Sequence, residues 1–356
     1  MFLCLYRARL GRIAALLLGP ALSLAAWGQL APSPDASPVS NAPPQPVENQ
    51  SVATFKVNVN LVDLFFTVTD KHGNLIPHLD RHDCTISEDK VPQTIKSFTA
   101  ESNLPLTLGI MLDTSGSQDR VLPLEQQAGD QFLHDILRSK DEAFLLSFDV
   151  NVDLLQDFTN SASQLARAMD KAQINTAGGN GGFGIPGLGT GPVPISGTPK
   201  GTLLYDAIYL AASQKLADQS GRKALIILTD GEDQGSKTTI KEAIAAAQRS
   251  NTIIYVILIA DTEFYGGFNM GYSGYSAAKK ISEETGGRLI NVGNNGNKLA
   301  AAFQQIADEL RSQYIATYTP TDAKMDGTFR RISVHCNGDG LRVHARKGYY
   351  APLPAN

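Results

Sequence analysis

Leu106–Arg120 reads LTLGIMLDTSGSQDR, and its two halves follow different rules. Leu106 to Leu112 is a nearly all-apolar run of strand length, the pattern of a strand buried on both faces of a parallel sheet. It ends on Asp113, followed by Ser115 and Ser117, so one carboxylate and two hydroxyls reach a single turn at the strand's carboxyl end. In open α/β sheets the connecting loops diverge at that edge and leave a crevice for ligands. Taken alone, Asp-x-Ser-x-Ser is also what helix caps and turns are made of.

Two further segments extend the pattern. Ala224–Thr229 (ALIILT) is a second buried-strand run, and it ends in Asp230 and Gly231. Between the two, GTLLYDAIYLAASQKL begins at Gly201 and Thr202 and continues with Leu203, Ala207, Leu210 and Ala211 at helical spacing, which places the Thr202 hydroxyl at a helix start. Five oxygen donors with no nearby His or Cys suit a hard cation such as Mg²⁺, Mn²⁺ or Ca²⁺ rather than zinc. With only two carboxylates against a dication, an acidic group from a partner can complete the coordination sphere.

Asp113, Ser115, Ser117, Thr202 and Thr229-Asp230-Gly231, in this order, resemble the metal-ion-dependent adhesion site of von Willebrand factor type A domains, also found in integrin I domains. The resemblance implies a doubly wound, mostly parallel α/β sheet of Rossmann-like type. It further implies one cation at Asp113, Ser115, Ser117, Thr202 and Asp230, and a protein ligand whose Asp or Glu takes the open position. The acidic pair of the integrins' neighbouring regulatory Ca²⁺ site is not evident after Ser117, where Gln118, Asp119 and Arg120 stand. The flanks VNLVDLFFTVTDKHGNLIPHL and DGTFRRISVHCNGDGLRVHARKGYYAP resemble VWFA-related proteins of acidobacteria, over roughly Phe55 to Pro352; Arg346-Lys347-Gly348-Tyr349-Tyr350 is the most specific flank segment.

Strand and helix alternate through the middle of the chain. Strands are predicted at 106–112, 143–148, 152–158 (an edge), 224–229, 253–259 and 288–292. Helices are predicted at 124–137, 163–172, from Thr202, and at 238–249, 277–285 and 298–312. Both flanks instead show period-two strands and Gly-containing turns, at 52–99 and again from 313. Neither has enough strands alone, so the two are expected to join into one small β-sandwich-like domain with the α/β domain inserted. The division is then residues 1–28 leader, 29–51 linker, 52–101 first β part, 102–312 α/β domain and 313–352 second β part.

The chain has 356 residues, 42% hydrophobic and 19% charged, with a net charge of −4. That is ample for a large core, and no basic run points to nucleic acid. Arg7, Arg9 and Arg12 precede the apolar stretch from Ile13 to Trp27, with Ala26 and Gly28 placed for cleavage: an export signal, with an uncleaved membrane anchor as the alternative. A secreted, periplasmic or cell-envelope location follows. Residues 31–50 are rich in Pro, Ser, Asn and Ala and read as a spacer. Beyond the leader only Cys84 and Cys336 remain, which leaves a disulfide between the flanks or two buried thiols.

Gly- and Pro-rich 177–201, directly before Thr202, is either a connector or a lip bearing Phe183, Ile185 and Leu188; 264–275 mixes aromatics with glycines and is a second candidate rim. The six His show no metal or triad spacing, so no catalytic residue is assigned and an exported, cation-dependent binding module is expected. An envelope scaffold with a permanently docked partner is the alternative, ahead of a metal-dependent hydrolase.

Overall fold

The computed structural model describes residues 61–101, 104–175, 201–259 and 273–354. The leader, the spacer and nearly all of the two Gly-rich stretches lie outside these residues. The first flank supplies β1 (Val62–Thr69), β2 (Cys84–Glu88), β3 (Val91–Gln93) and β4 (Ile95–Glu101). The middle of the chain runs β5 (Leu106–Asp113), α1 (Leu122–Ile136), β6 (Glu142–Phe148), β7 (Val152–Thr159), α2 (Ala162–Met169) and α3 (Leu204–Leu210). It continues with β8 (Arg222–Thr229), α4 (Ile240–Arg249), β9 (Thr252–Leu258), α5 (Gly274–Thr285), β10 (Leu289–Asn291) and α6 (Gly296–Arg311). The second flank adds β11 (Gln313–Tyr318), β12 (Phe329–Cys336), β13 (Arg342–Ala345) and β14 (Gly348–Tyr350).

The central sheet has the order β10-β9-β8-β5-β6-β7, parallel except for the β7 edge. Every residue of β5, β8 and β9 is buried, because helices cover both faces. Phe132, Leu133, Leu165, Phe303 and Ile306 of α1, α2 and α6 fill one side; Leu204, Ile208, Ile244, Ala247 and Ile281 of α3, α4 and α5 fill the other. Each fully buried Leu or Ile contributes roughly 1.5–3 kcal/mol, so this double layer dominates the energetics. From β5 the chain moves to β6 on one side and later to β8 on the other, so the sheet's topological switch point lies between β5 and β8.

The flanks form two four-stranded sheets, β13-β1-β11-β4 and β14-β12-β2-β3, each mixing strands from before and after the insertion. Their shared core holds Leu64, Phe66, Ile86, Tyr314, Tyr318, Ile332 and Tyr349. The chain is therefore an α/β doubly wound domain inserted in a β sandwich built by both flanks. Cys84 and Cys336, opposite each other in the β2–β12 register, form a disulfide across 252 residues of sequence. Glu88, buried in this core, accepts the Tyr318 and Tyr349 hydroxyls at 2.8 and 3.0 Å and pairs with buried Arg330 at 3.4 Å.

One expectation is corrected here. β1 does not alternate: all but Asp63 of its residues are buried. Phe65 turns away from Leu64 and Phe66 and packs into the α/β core, so the inserted domain covers the sheet face that the period-two reading left to solvent. Arg346 adds to that junction, donating to Asn251 Oδ1 at 2.8 Å and to the Asp63 carbonyl at 3.0 Å.

Candidate metal centre

β5 and β8 run side by side and release their chains at the same edge, where each has delivered a carboxylate. Asp113 and Asp230 are both buried. Asp113 Oδ2 accepts the Thr229 hydroxyl at 2.6 Å, and its Oδ1 accepts the Ser115 N–H at 3.0 Å. Ser117 donates its hydroxyl to Asp230 Oδ2 at 2.6 Å and lies 3.1 Å from the Ser115 hydroxyl. Asp113, Ser115, Ser117 and Asp230 are thus joined by hydrogen bonds around the turn Gly116–Gln118, a short 3-10 turn, with Asp113 linked through the Ser115 amide.

Gly231 makes the second turn possible. Its φ is +83°, and a Cβ there would come within 2.5 Å of the Gly274 carbonyl oxygen. Glu232 follows, accepting the N–H groups of Ser273 and Gly274 at 2.6 and 2.8 Å and so tying the turn to the start of α5. That is a helix-terminus role, where an acidic group meets free amides.

Thr202 sits on the same edge by a different route than a helix start. Its N–H and carbonyl pair with Gln234 in an isolated β-bridge, and α3 begins only at Leu204. The first helical amides go elsewhere: Tyr205 N donates to Asp233 Oδ1 and Asp206 N to Ser236 Oγ, both from the loop after β8. Asp149, at the end of β6, links these segments. It accepts the Thr114 hydroxyl at 2.9 Å, the Asn151 N–H and the Asn175 amide, while its carbonyl accepts the Leu203 N–H. Sequence reasoning passed over Asp149, although it is a third carboxylate following a buried strand, the same signal that marked Asp113 and Asp230.

The electrostatics suit a cation. Burial first, and then the charge of Asp230, push the Asp113 carboxyl up to about 7, against the pull of the hydrogen bonds from Ser115 and Thr229. Two further residues lie beside the pair. Gln118 and Glu125 are fully buried, and Gln118 Oε1 and both carboxylate oxygens of Glu125 have no hydrogen-bond partner among the described residues. Burial, then the charges of Asp113 and Asp230, hold Glu125 well above the carboxylate range. Buried acceptors without donors are rare and expensive. Hard oxygens and uncompensated acceptors match the Mg²⁺, Mn²⁺ or Ca²⁺ class of ion. Asp113, Asp230, Ser115 and Ser117, with Thr202 on the same edge, are the residues that would hold it. Among the described residues no three His, Cys, Asp or Glu side chains close into a single ion cage.

No protein-family model and no curated protein matches this chain. Solved structures do. BatB from Bacteroides thetaiotaomicron aligns at 17% identity with a TM-score of 0.43, covering 58% of this chain and 100% of its own. Proximal thread matrix protein 1 from the mussel byssus, in a form described as having a zinc-occupied MIDAS motif, aligns at 15% identity and 0.43; the match covers 63% of this chain and 50% of that one. The vWF domain of the type V pili tip protein Mfa5 from Porphyromonas gingivalis aligns at 13% and 0.40, covering 58% and 94%. At these identities and scores the likenesses carry no functional weight for this chain. The sheet order and the gathering of the Asp113, Thr202 and Asp230 segments at one edge give it an α/β fold of von Willebrand factor A type, carried on a β sandwich.

Proposed function

We propose that the chain is an exported, non-enzymatic binding module that uses one divalent cation, held by Asp113, Ser115, Ser117, Thr202 and Asp230, to recognise an acidic group on a partner protein. The observation that carries this reading is the hydroxyl–carboxylate set itself: Ser117 to Asp230 and Thr229 to Asp113, both at 2.6 Å, at the switch point of the sheet. Mg²⁺ is the first choice of ion, since it is held through few carboxylates and keeps several waters, one of which a partner's Asp or Glu can replace. The flank segments at 59–79 and 326–352 motivate placing the chain with VWFA-related proteins of acidobacterial type.

Two other features support the reading. The Cys84–Cys336 disulfide suits an oxidising compartment outside the cytoplasm. Two histidines have partners elsewhere: His134 is exposed on α1 beside Asp130, and His344 belongs to the β sandwich beside Arg288.

Calorimetric titration of the chain with Mg²⁺ and Mn²⁺, run beside Asp113→Ala, tests the cation. Saturable binding that the variant loses is the expected result, and no binding in the unaltered chain would sink the reading. A glutamate-rich peptide added to the Mn²⁺-loaded chain then tests the acidic partner: a second heat, lost in Asp113→Ala, is expected.

A further inference from the structure

Glu125 is a buried carboxylate that the five-residue reading leaves unexplained. It stands in the first turn of α1, tied to the Asp113 turn by short steps: Gln118 N–H to the Ser115 carbonyl, Val121 N–H to the Gln118 carbonyl, and Glu125 N–H to the Val121 carbonyl. Gln118 meanwhile points its amide nitrogen at Ser117 Oγ, 3.4 Å away. Gln118 in the turn and Glu125 in the first turn of α1 are thus two buried polar side chains that follow Asp113 within a few residues of chain.

Three oxygens result, Gln118 Oε1, Glu125 Oε1 and Glu125 Oε2, all buried and all without a hydrogen-bond partner among the described residues. An ionised carboxylate is acceptor-only and an amide oxygen accepts, so donors are what would satisfy them. Water bound to a cation turns its oxygen to the metal and both hydrogens outward, which makes a hydrated dication a cluster of donors. Among the described residues Glu125, Asp113 and Asp230 do not form a three-carboxylate ion cage, so Glu125 is assigned to the shell behind the direct ligands. Carboxylates in that outer position are common partners of metal-bound groups, and removing one typically costs about 10–100-fold in metal affinity.

We propose that Glu125 anchors the water shell of a divalent cation at the Asp113–Asp230 edge, as the third carboxylate of that centre. The assignment rests on the cation reading above. It also sets a preference: small dications that keep their waters, Mg²⁺ and Mn²⁺, gain more from Glu125 than Ca²⁺, which takes more of its ligands directly from protein oxygens.

The test is calorimetric titration of the full chain with Mn²⁺, Mg²⁺ and Ca²⁺ for the unaltered protein, Asp113→Ala, Glu125→Gln and Glu125→Leu, with thermal midpoints recorded in chelator. Expected are a metal-free midpoint in Glu125→Gln no lower than that of the unaltered chain, Mn²⁺ and Mg²⁺ affinities lower by about 10–100-fold, and a smaller loss for Ca²⁺. Glu125→Leu, which leaves no polar atom at the site, takes its place if the amide chain does not fold. Binding of Mn²⁺ within about twofold of the unaltered chain by a folded Glu125 variant overturns the assignment, as does failure of both variants to fold without cation. If the unaltered chain binds no cation, the failure belongs to the Asp113 reading instead.

Discussion

Ser117 Oγ donates to Asp230 Oδ2 at 2.6 Å across 113 residues of sequence. That hydrogen bond joins the ends of two strands that lie next to each other in the sheet but are separated in the chain, among the described residues, by β6, β7 and the helices α1 to α3. It makes the turn after β5 and the turn after β8 one unit, so a change in either is felt by both.

Asp113→Asn keeps one oxygen to accept the Ser115 N–H, turns its NH2 toward the Thr229 hydroxyl oxygen, and removes the repulsion with Asp230. In chelator its thermal midpoint should equal or exceed that of the unaltered chain. Mn²⁺ at about 100 times its dissociation constant should stabilise the unaltered chain by about 2.7 kcal/mol and leave the variant unmoved. Differential scanning fluorimetry reads both; a variant that still responds to Mn²⁺ would remove Asp113 from the centre.

Gly231→Ala forces a side chain into the left-handed region and into contact with the Gly274 carbonyl. Strain of about 1–3 kcal/mol should move the Asp230 turn rather than unfold the sheet. Cation affinity should fall by about tenfold or more, with the far-ultraviolet circular dichroism unchanged. An affinity equal to that of the unaltered chain would show that the turn tolerates displacement.

The disulfide closes a loop that contains the whole inserted domain. Replacing Cys84 and Cys336 together by Ala should destabilise the β sandwich by about 2–4 kcal/mol in chemical denaturation. Intact mass before and after reduction, under denaturing conditions, checks that the bond is present in the purified protein. An unchanged mass would leave two free thiols.

His344, on β13, lies 3.1 Å from Arg288 and 3.4 Å from the Thr69 hydroxyl. Burial, then the charges of Arg288, Lys347 and Arg342, lower its pKa from 6.5 to about 4. Between those values the unfolded chain binds a proton that the folded chain refuses, so stability is full above about pH 6.5 and falls as the pH drops toward 4. With allowance for a half-buried ring the loss should be about 2 kcal/mol, and His344→Gln should flatten it. Urea midpoints measured from pH 7 to 4 decide; equal slopes for the two proteins would exclude His344 as the source.

Much of this was legible from local pattern. The apolar run 106–112 is β5, and the stripe around 124–137 is α1, because a strand or helix that buries a face must carry apolar residues at its own period. The Asp113, Ser115, Ser117 and Asp230 positions were legible for the same reason: they follow buried strands directly, and the sheet edge is where such strands end. Glu125 was hidden, since one acidic residue in a helix with a polar face looks like any solvated one.

The sequence by itself determined the alternation of elements, the two-part flank and the candidate oxygen donors, because propensity and periodicity act over a few residues. Strand order decided the rest. Only the packed structure places Phe65 in the α/β core and Leu64 in the sandwich, pairs Thr202 with Gln234 ahead of α3, and sets Thr229 against Asp113 and Ser117 against Asp230. These contacts join segments far apart in the chain, and no local period specifies which strands become neighbours or which face a second domain will cover.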